Sequence, residues 1–226
     1  MNIDFNNIKD LSIDTGKEVK SITVNGELLW SAGEALPSGY TELQYVENLS
    51  NSYPTYLVLD HKFNSTHSKL TIDFQLPNYT SRKIAGCKAD GTRGKGFDLS
   101  LGGYYFGEYY SSDLFPTPIK DIFHNVEIGK QALYINGELK AEFTKQPENT
   151  CLNDLAIGLC YGSGSTLSII NGYHRIGRVK LEYDDEVLFN LIPCINPDGV
   201  AGFYDLVNEV FRGSESGYDW TAGAET

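Results

Sequence analysis

The sequence predicts an all-β protein, a sandwich or barrel assembled from many short strands. Short apolar runs recur between turn-forming residues along most of the chain. Aromatic residues make up 12%, with 15 Tyr and 11 Phe beside 23 Gly, a composition of strands and turns. No run of about 12 residues or more keeps helical spacing with caps. At 226 residues the chain can bury a real core as one sizeable β domain with a small appendage.

Residues 1–33 read as a small N-terminal β-hairpin element. Lys17–Val24 forms a strand, Asn25-Gly26 a type I′ turn whose two central residues need positive φ, and Leu28-Leu29-Trp30 the returning strand. A lone hairpin is marginal in water, so this element must pack on something. Ser31–Ala35 resembles a short linker, and the main domain is placed at residues 34–226.

The main domain reads as short strands at Gln44–Glu47, Tyr56–Leu59, Lys69–Gln75, Lys83–Cys87, Gly96–Leu101 and Tyr104–Tyr109. They continue at Asn125–Ile128, Gln131–Asn136, Glu138–Phe143, Leu155–Cys160, Gly172–Tyr183 and Glu186–Ile192. Leu70, Ile72, Phe74 and Leu76 alternate with other residues at a period of two, the mark of a half-buried strand. Asn136-Gly137 is a second hairpin turn of the Asn-Gly type.

The formal charge of −12 argues against binding nucleic acid through phosphates or docking on an anionic membrane. It favours solubility and mutual repulsion of copies. The N-terminus MNIDFNNIKD carries no apolar core of a secretory signal, and no stretch approaches the ~20 apolar residues of a membrane span. The four cysteines, Cys87, Cys151, Cys160 and Cys194, lack zinc-ligand spacing. Cys151 and Cys160 are spaced to meet across a hairpin, but buried free thiols in a reducing cytoplasm are the preferred reading.

Several constellations carry residue types suited to chemistry, and each also has a plain structural reading. Glu182, Asp184 and Glu186 would share a face on one continuous strand, the arrangement of paired carboxylates that glycan hydrolysis needs. The apolar phase slips between Tyr183 and Val187, however, so an Asp184-Asp185 turn with a returning strand is preferred. Tyr104, Tyr105, Phe106, Tyr109 and Tyr110 form the densest aromatic run. Aromatic faces stack on the C–H face of a sugar ring, which makes Tyr104, Tyr105, Tyr109 and Tyr110 the candidate ligand-binding residues, with core alternation accounting for half the run. The Gly-rich segment Lys88–Gly96 does not fit a phosphate loop and reads as a surface loop. His61, His67, His124 and His174 are scattered and define no triad. Asn153-Asp154 and Asp184-Asp185 carry oxygens of the kind that hold Ca²⁺, but turn formation accounts for both pairs. No catalytic residue, metal ligand or cofactor is assigned.

Leu36-Pro37-Ser38-Gly39-Tyr40-Thr41-Glu42-Leu43-Gln44-Tyr45-Val46-Glu47 resembles the opening of concanavalin A-like (LamG or lectin-like) sandwich domains in minor structural proteins of phages and prophages of Gram-positive bacteria. Phe189–Cys194, then Gly199–Asn208, and a tail that reaches Trp220-Thr221-Ala222-Gly223 resemble the closing signature of the same family. Val19, Ile22, Asn25-Gly26 and Trp30 resemble, over a shorter stretch, a β element at the front of some phage tail proteins.

The resemblance implies an antiparallel jelly roll in a tail-associated virion protein, made in the host cytoplasm and released by lysis. It implies other virion proteins as partners, with Ile22, Val24 and Trp30 on the attaching element. It also implies multiple copies per particle or a homo-oligomer, and an outward domain that meets host-surface polysaccharide. A decoration or assembly module that binds no sugar and a glycan hydrolase of the same fold are the alternatives. Within the closing signature, Val200-Ala201-Gly202 supplies small residues for a close backbone approach, and Phe203, Tyr204, Leu206 and Val207 are expected to seal a sheet edge.

Overall fold

The computed structural model of the protein describes residues 11–15, 19–24, 27–31, 36–49, 54–75, 84–88, 96–100, 103–106, 109–111, 122–130, 132–142, 150–151, 153–159 and 173–226. In the strands within 11–31 and 96–111, apart from Leu99, and at Lys88, the backbone alone is described. The described residues contain strands, turns and no helix. The chain divides into two compact units, Met1–Pro37 and Ser38–Thr226.

The smaller unit is an antiparallel meander of β1 (Leu11–Thr15), β2 (Val19–Val24) and β3 (Glu27–Ser31), in that order. The expected hairpin is β2–β3, with Ile22 opposite Trp30; its Asn25-Gly26 turn lies outside the described residues. β1 is an addition to the sequence reading: Leu11 faces Val24 across the ladder, and Ile13 faces Ile22. A third strand gives β2 ladder partners on both sides, which a lone hairpin lacks. It escaped the sequence reading because its five residues sit beside a polar leader.

The larger unit begins with β4 (Thr41–Glu42), β5 (Val46–Asn48), β6 (Leu57–Leu59), β7 (Ser68–Gln75), β8 (Ala85–Lys88), β9 (Gly96–Ser100), β10 (Gly103–Phe106) and β11 (Tyr109–Ser111). It continues with β12 (His124–Gly129), β13 (Ala132–Ile135), β14 (Glu138–Glu142), β15 (Leu155–Ile157), β16 (His174–Tyr183), β17 (Glu186–Ile195), β18 (Ala201–Asp205), β19 (Val210–Arg212) and β20 (Thr221–Ala222). All pairings are antiparallel. One sheet runs β11-β10-β9-β8-β15-β6; the other runs β14-β13-β12-β7-β16-β17-β18-β19, with β4, β5 and β20 paired at its margin.

The two sheets enclose one core in a sandwich-like arrangement. Leu57, Leu59, Ala85, Leu99, Leu155 and Ile157 from the six-stranded sheet join Leu70, Ile72, Phe74, Val126, Val179 and Phe203 from the other in a single buried cluster. β7 shows how the pattern specifies this. Leu70, Ile72 and Phe74 are each 0% exposed, while Lys69, Thr71 and Asp73 remain partly exposed. Each such side chain contributes about 1.5–3 kcal/mol over exposure. Leu76 lies outside the described residues.

The Asn136-Gly137 turn has φ of 52° and 77°, as type I′ requires. Asp184-Asp185 is likewise a two-residue turn, with φ of 49° and 69°, between the paired Tyr183 and Glu186.

Three expectations are corrected. Tyr104–Tyr109 is not one strand: Phe106 pairs with Tyr109, so β10 and β11 form a hairpin, and Gly107 was the break the sequence offered. The closing segment does not seal an edge directly. β18 is internal, fully buried and flanked by β17 and β19, and the edge position belongs to β19. The cysteines are not all free. Cys87 and Cys151, 64 residues apart, are joined in a disulfide. Cys194 is a buried free thiol whose pKa burial pushes up to about 12. Cys160 lies outside the described residues.

The close approach expected at Gly202 is present. A Cβ there would lie 2.5 Å from the Arg212 carbonyl oxygen, so the position admits only glycine without a shift of β19. The free edge at β6 is capped by the tail: Val58 N–H donates to Glu215 Oε1 at 3.1 Å, and Glu215 N–H to the Tyr56 carbonyl at 2.9 Å.

Candidate functional site

The candidate site starts from a bulge in β16. Ile176 pairs with Phe74 and Val179 with Ile72, so Gly177 and Arg178 together oppose Asp73 alone. The bulge re-aims Arg178 to solvent on the side of the sheet away from the core. Gly177 permits the crowding, since a Cβ there would meet Asp73 Cβ at 2.9 Å.

Around this bulge lies an open groove of about 540 Å³, lined among others by Glu42, Gln44, Asp73, Phe123, Asn125 and Arg178. Its polar groups are held by one another. Asn125 Nδ2 donates to Asp73 Oδ1 at 2.7 Å, Asn125 N–H donates to Asn136 Oδ1 at 2.9 Å, and Arg178 Nη2 donates to Glu42 Oε1 at 2.8 Å. Phe123, 37% exposed, forms an apolar wall and leans on Tyr45 at a ring separation of 5.5 Å. The Arg175 guanidinium lies 4.8 Å over the Tyr45 ring and donates to Glu47 at 2.9 Å and Gln75 at 3.0 Å. The groove thus offers charged and amide hydrogen-bonding groups beside an aromatic surface. Such a set can hold a small polyhydroxylated molecule.

The acidic segment at the β16–β17 hairpin is arranged differently. Glu182 accepts from Lys69 at 2.7 Å and from Lys180 at 3.1 Å. Burial raises its pKa, but the two ammonium groups outweigh that and hold the carboxyl below its ordinary value. Asp184 pairs with His67 at 2.6 Å, and Asp185 with Lys130. Asp184 and Asp185 occupy the turn, so Glu182, Asp184 and Glu186 do not share one continuous strand face.

Tyr183 lies between two imidazoles. His67 stacks on it and His61 meets it edge-on, each at 5.4 Å. His61 Nε2 also lies 3.2 Å from Ser68 Oγ. Burial lowers the pKa of His61, against the opposing pull of Asp154 and Asp60, and burial lowers that of His124. A ring kept neutral by the fold is protonated more readily in the unfolded chain. This part of the stability is therefore complete above about pH 6.5 and lost as the pH falls through that value. Side-chain NMR titration should place both ring midpoints below 6.5, and His61→Gln should flatten the loss of melting temperature between pH 7 and pH 5. A His61 midpoint at or above 6.5 contradicts this.

The sequence-derived candidates fall elsewhere. The backbone sets Tyr105 opposite Tyr110 and Tyr104 opposite Ser111 on β10 and β11, at the edge of the six-stranded sheet. This places Tyr104, Tyr105, Tyr109 and Tyr110 on two adjacent strands, while their side chains lie outside what is described. The same holds for Ile22, Val24 and Trp30 on β2 and β3. Asp154 and Asn153 precede β15, and among the described residues no three His, Cys, Asp or Glu side chains converge as metal ligands. The groove residues escaped the sequence reading because each looks like an ordinary outward polar residue. Gly177 inside a strand was the available signal.

No family model matches the chain, and no curated protein matches it. What the fold defines is an all-β protein of antiparallel sheets in a sandwich-like arrangement, with a polar groove on its larger sheet.

Proposed function

We propose that the chain is a tail-associated structural protein of a tailed phage or prophage. On this reading the larger unit is a concanavalin A-like jelly roll that faces outward and meets host-surface glycan. The N-terminal meander attaches it to other virion proteins.

The reading rests on the spatial union of the two segments that carry the family resemblance. The opening segment and the closing segment lie far apart in the chain, yet they are knitted together. β4 pairs with β17, β5 with β20, Leu43 bridges Glu225, and Gln44 N–H donates to the Ala224 carbonyl at 2.7 Å. That pairing is what the resemblance expects of an opening and a closing segment of one domain. The −12 charge fits a surface that meets neutral polymers and repels its own copies. Weak single-site sugar affinity would be offset by many copies per particle.

The test is particle incorporation. Deleting residues 1–32 should remove the protein from purified particles while the remainder keeps a β-type circular dichroism spectrum. Immunogold labelling of the full chain should decorate tails. Truncated protein that still assembles, or label confined to heads, overturns the attachment role or the location respectively.

A further inference from the structure

We propose that the groove beside the β16 bulge is a binding subsite for an uncharged sugar residue, with Asp73, Asn125 and Arg178 as its polar contacts and Phe123 as its apolar wall. This deepens the glycan reading above and rests on it, but it assigns the contact to a different sheet from the Tyr104–Tyr110 strands.

Four observations carry it. The volume of about 540 Å³ lies in the range of roughly 300–1,000 Å³ usual for small-molecule sites. The Asp73–Asn125 pair sets a carboxylate and an amide side by side at 2.7 Å. A sugar hydroxyl is both donor and acceptor, so it can donate to a carboxylate oxygen and accept from an amide N–H at once. A carboxylate accepts about four hydrogen bonds and an amide donates two, so the bond between Asp73 and Asn125 leaves capacity on both.

The groups are also partly ordered before any ligand arrives. Asn136 accepts from the Asn125 backbone N–H, Asn125 Nδ2 donates to Asp73, and Glu42 accepts from Arg178. These bonds reduce the side-chain entropy to be lost on binding. Finally, the wall formed by Phe123 is aromatic and partly exposed next to a more exposed Ile122 at 57%, which suits the C–H face of a pyranose. The sign of the site selects against acids. Glu42 and Asp73 outnumber Arg178 in the groove, on a chain of net charge −12, so a glycan bearing phosphate or carboxylate is disfavoured.

The experiment is an NMR titration of the full chain with methyl β-glucoside, methyl β-galactoside and methyl N-acetyl-β-glucosaminide, with methyl β-glucuronide as the acidic arm. At least one neutral glycoside should give saturable shifts of the Asn125 side-chain amide and the Arg178 guanidinium signals, and the glucuronide should not. Asp73→Ala and Asn125→Ala should each weaken that binding tenfold or more. Asp73→Asn, of the same shape, provides the same test should the alanine variant unfold. Gly177→Ala should weaken it as well, by displacing Asp73. Shifts confined to β9–β11, or an affinity indifferent to Asp73 and Asn125, overturn the groove and leave the glycan reading standing. Glucuronide binding as tight as the neutral sugars overturns the charge argument. Silence with all four glycosides overturns the groove, while particle incorporation independently decides the virion role.

Discussion

Replacing Asp205 with Ala should lower the unfolding free energy by about 3–5 kcal/mol, the usual cost of removing one partner from a buried ionic pair. Asp205 is 0% exposed and organises the whole closing segment. Its Oδ1 accepts from the backbone N–H groups of Asn190 at 3.3 Å, Val207 at 3.2 Å and Asn208 at 3.4 Å. Its Oδ2 accepts from Asn208 Nδ2 at 2.7 Å and Arg212 Nε at 3.2 Å. Arg212 in turn covers the Phe189 ring at 5.1 Å. One carboxylate thus ties β17, β18, the intervening turn and β19. Alanine leaves a partly buried guanidinium without its carboxylate and removes the acceptor that three backbone N–H groups share. Asp205→Asn should cost less, because an amide oxygen can still accept from the backbone while the charge partner is lost. Urea unfolding of the three proteins decides this: the midpoint should fall in the order wild type, Asn, Ala, with the slope unchanged. A loss under 1 kcal/mol for the alanine variant contradicts the hub.

How much of this was legible in advance follows from the range of the interactions. Period-two runs such as Leu70-Thr71-Ile72-Asp73-Phe74 report their own strand, and the turns at Asn136-Gly137 and Asp184-Asp185 report their own φ. These are local facts. The aromatic run was misread because strand propensity in Tyr104–Phe106 and Tyr109-Tyr110 hid the break at Gly107. Asp205 could be read as a turn former, but its burial could not, since the groups that neutralise it come from β17 and β19. The groove was illegible for the same reason on a larger scale. Glu42, Asp73, Asn125 and Arg178 are brought together only by cross-strand register. A sequence names their types but not the one-residue bulge that lets them meet.

The same limit applied to the cysteines, and it carries the second large effect. Cys87 lies on β8 and Cys151 lies four residues before β15, the strand that pairs with β8. Their Cα atoms are 5.9 Å apart, within ordinary reach of a bridge. Both are buried, at 0% and 3% exposure. Closing a loop with a sequence separation of 64 removes unfolded-state entropy worth about 4 kcal/mol at 25 °C in the chain-entropy model. The double variant Cys87→Ala/Cys151→Ala should therefore unfold at a markedly lower urea midpoint than the oxidised protein. If the effect resides in the unfolded chain, the variant should also show a steeper slope, because its unfolded ensemble is freer to expand. Peptide mapping after alkylation in denaturant without reductant should leave Cys87 and Cys151 unmodified and label Cys194. Labelling of Cys87 in air-oxidised protein, or a midpoint that does not move in the double variant, removes the bridge from the account of stability. A particle released by lysis moves from reducing to oxidising surroundings, so on the virion reading the bridged protein is the one to measure.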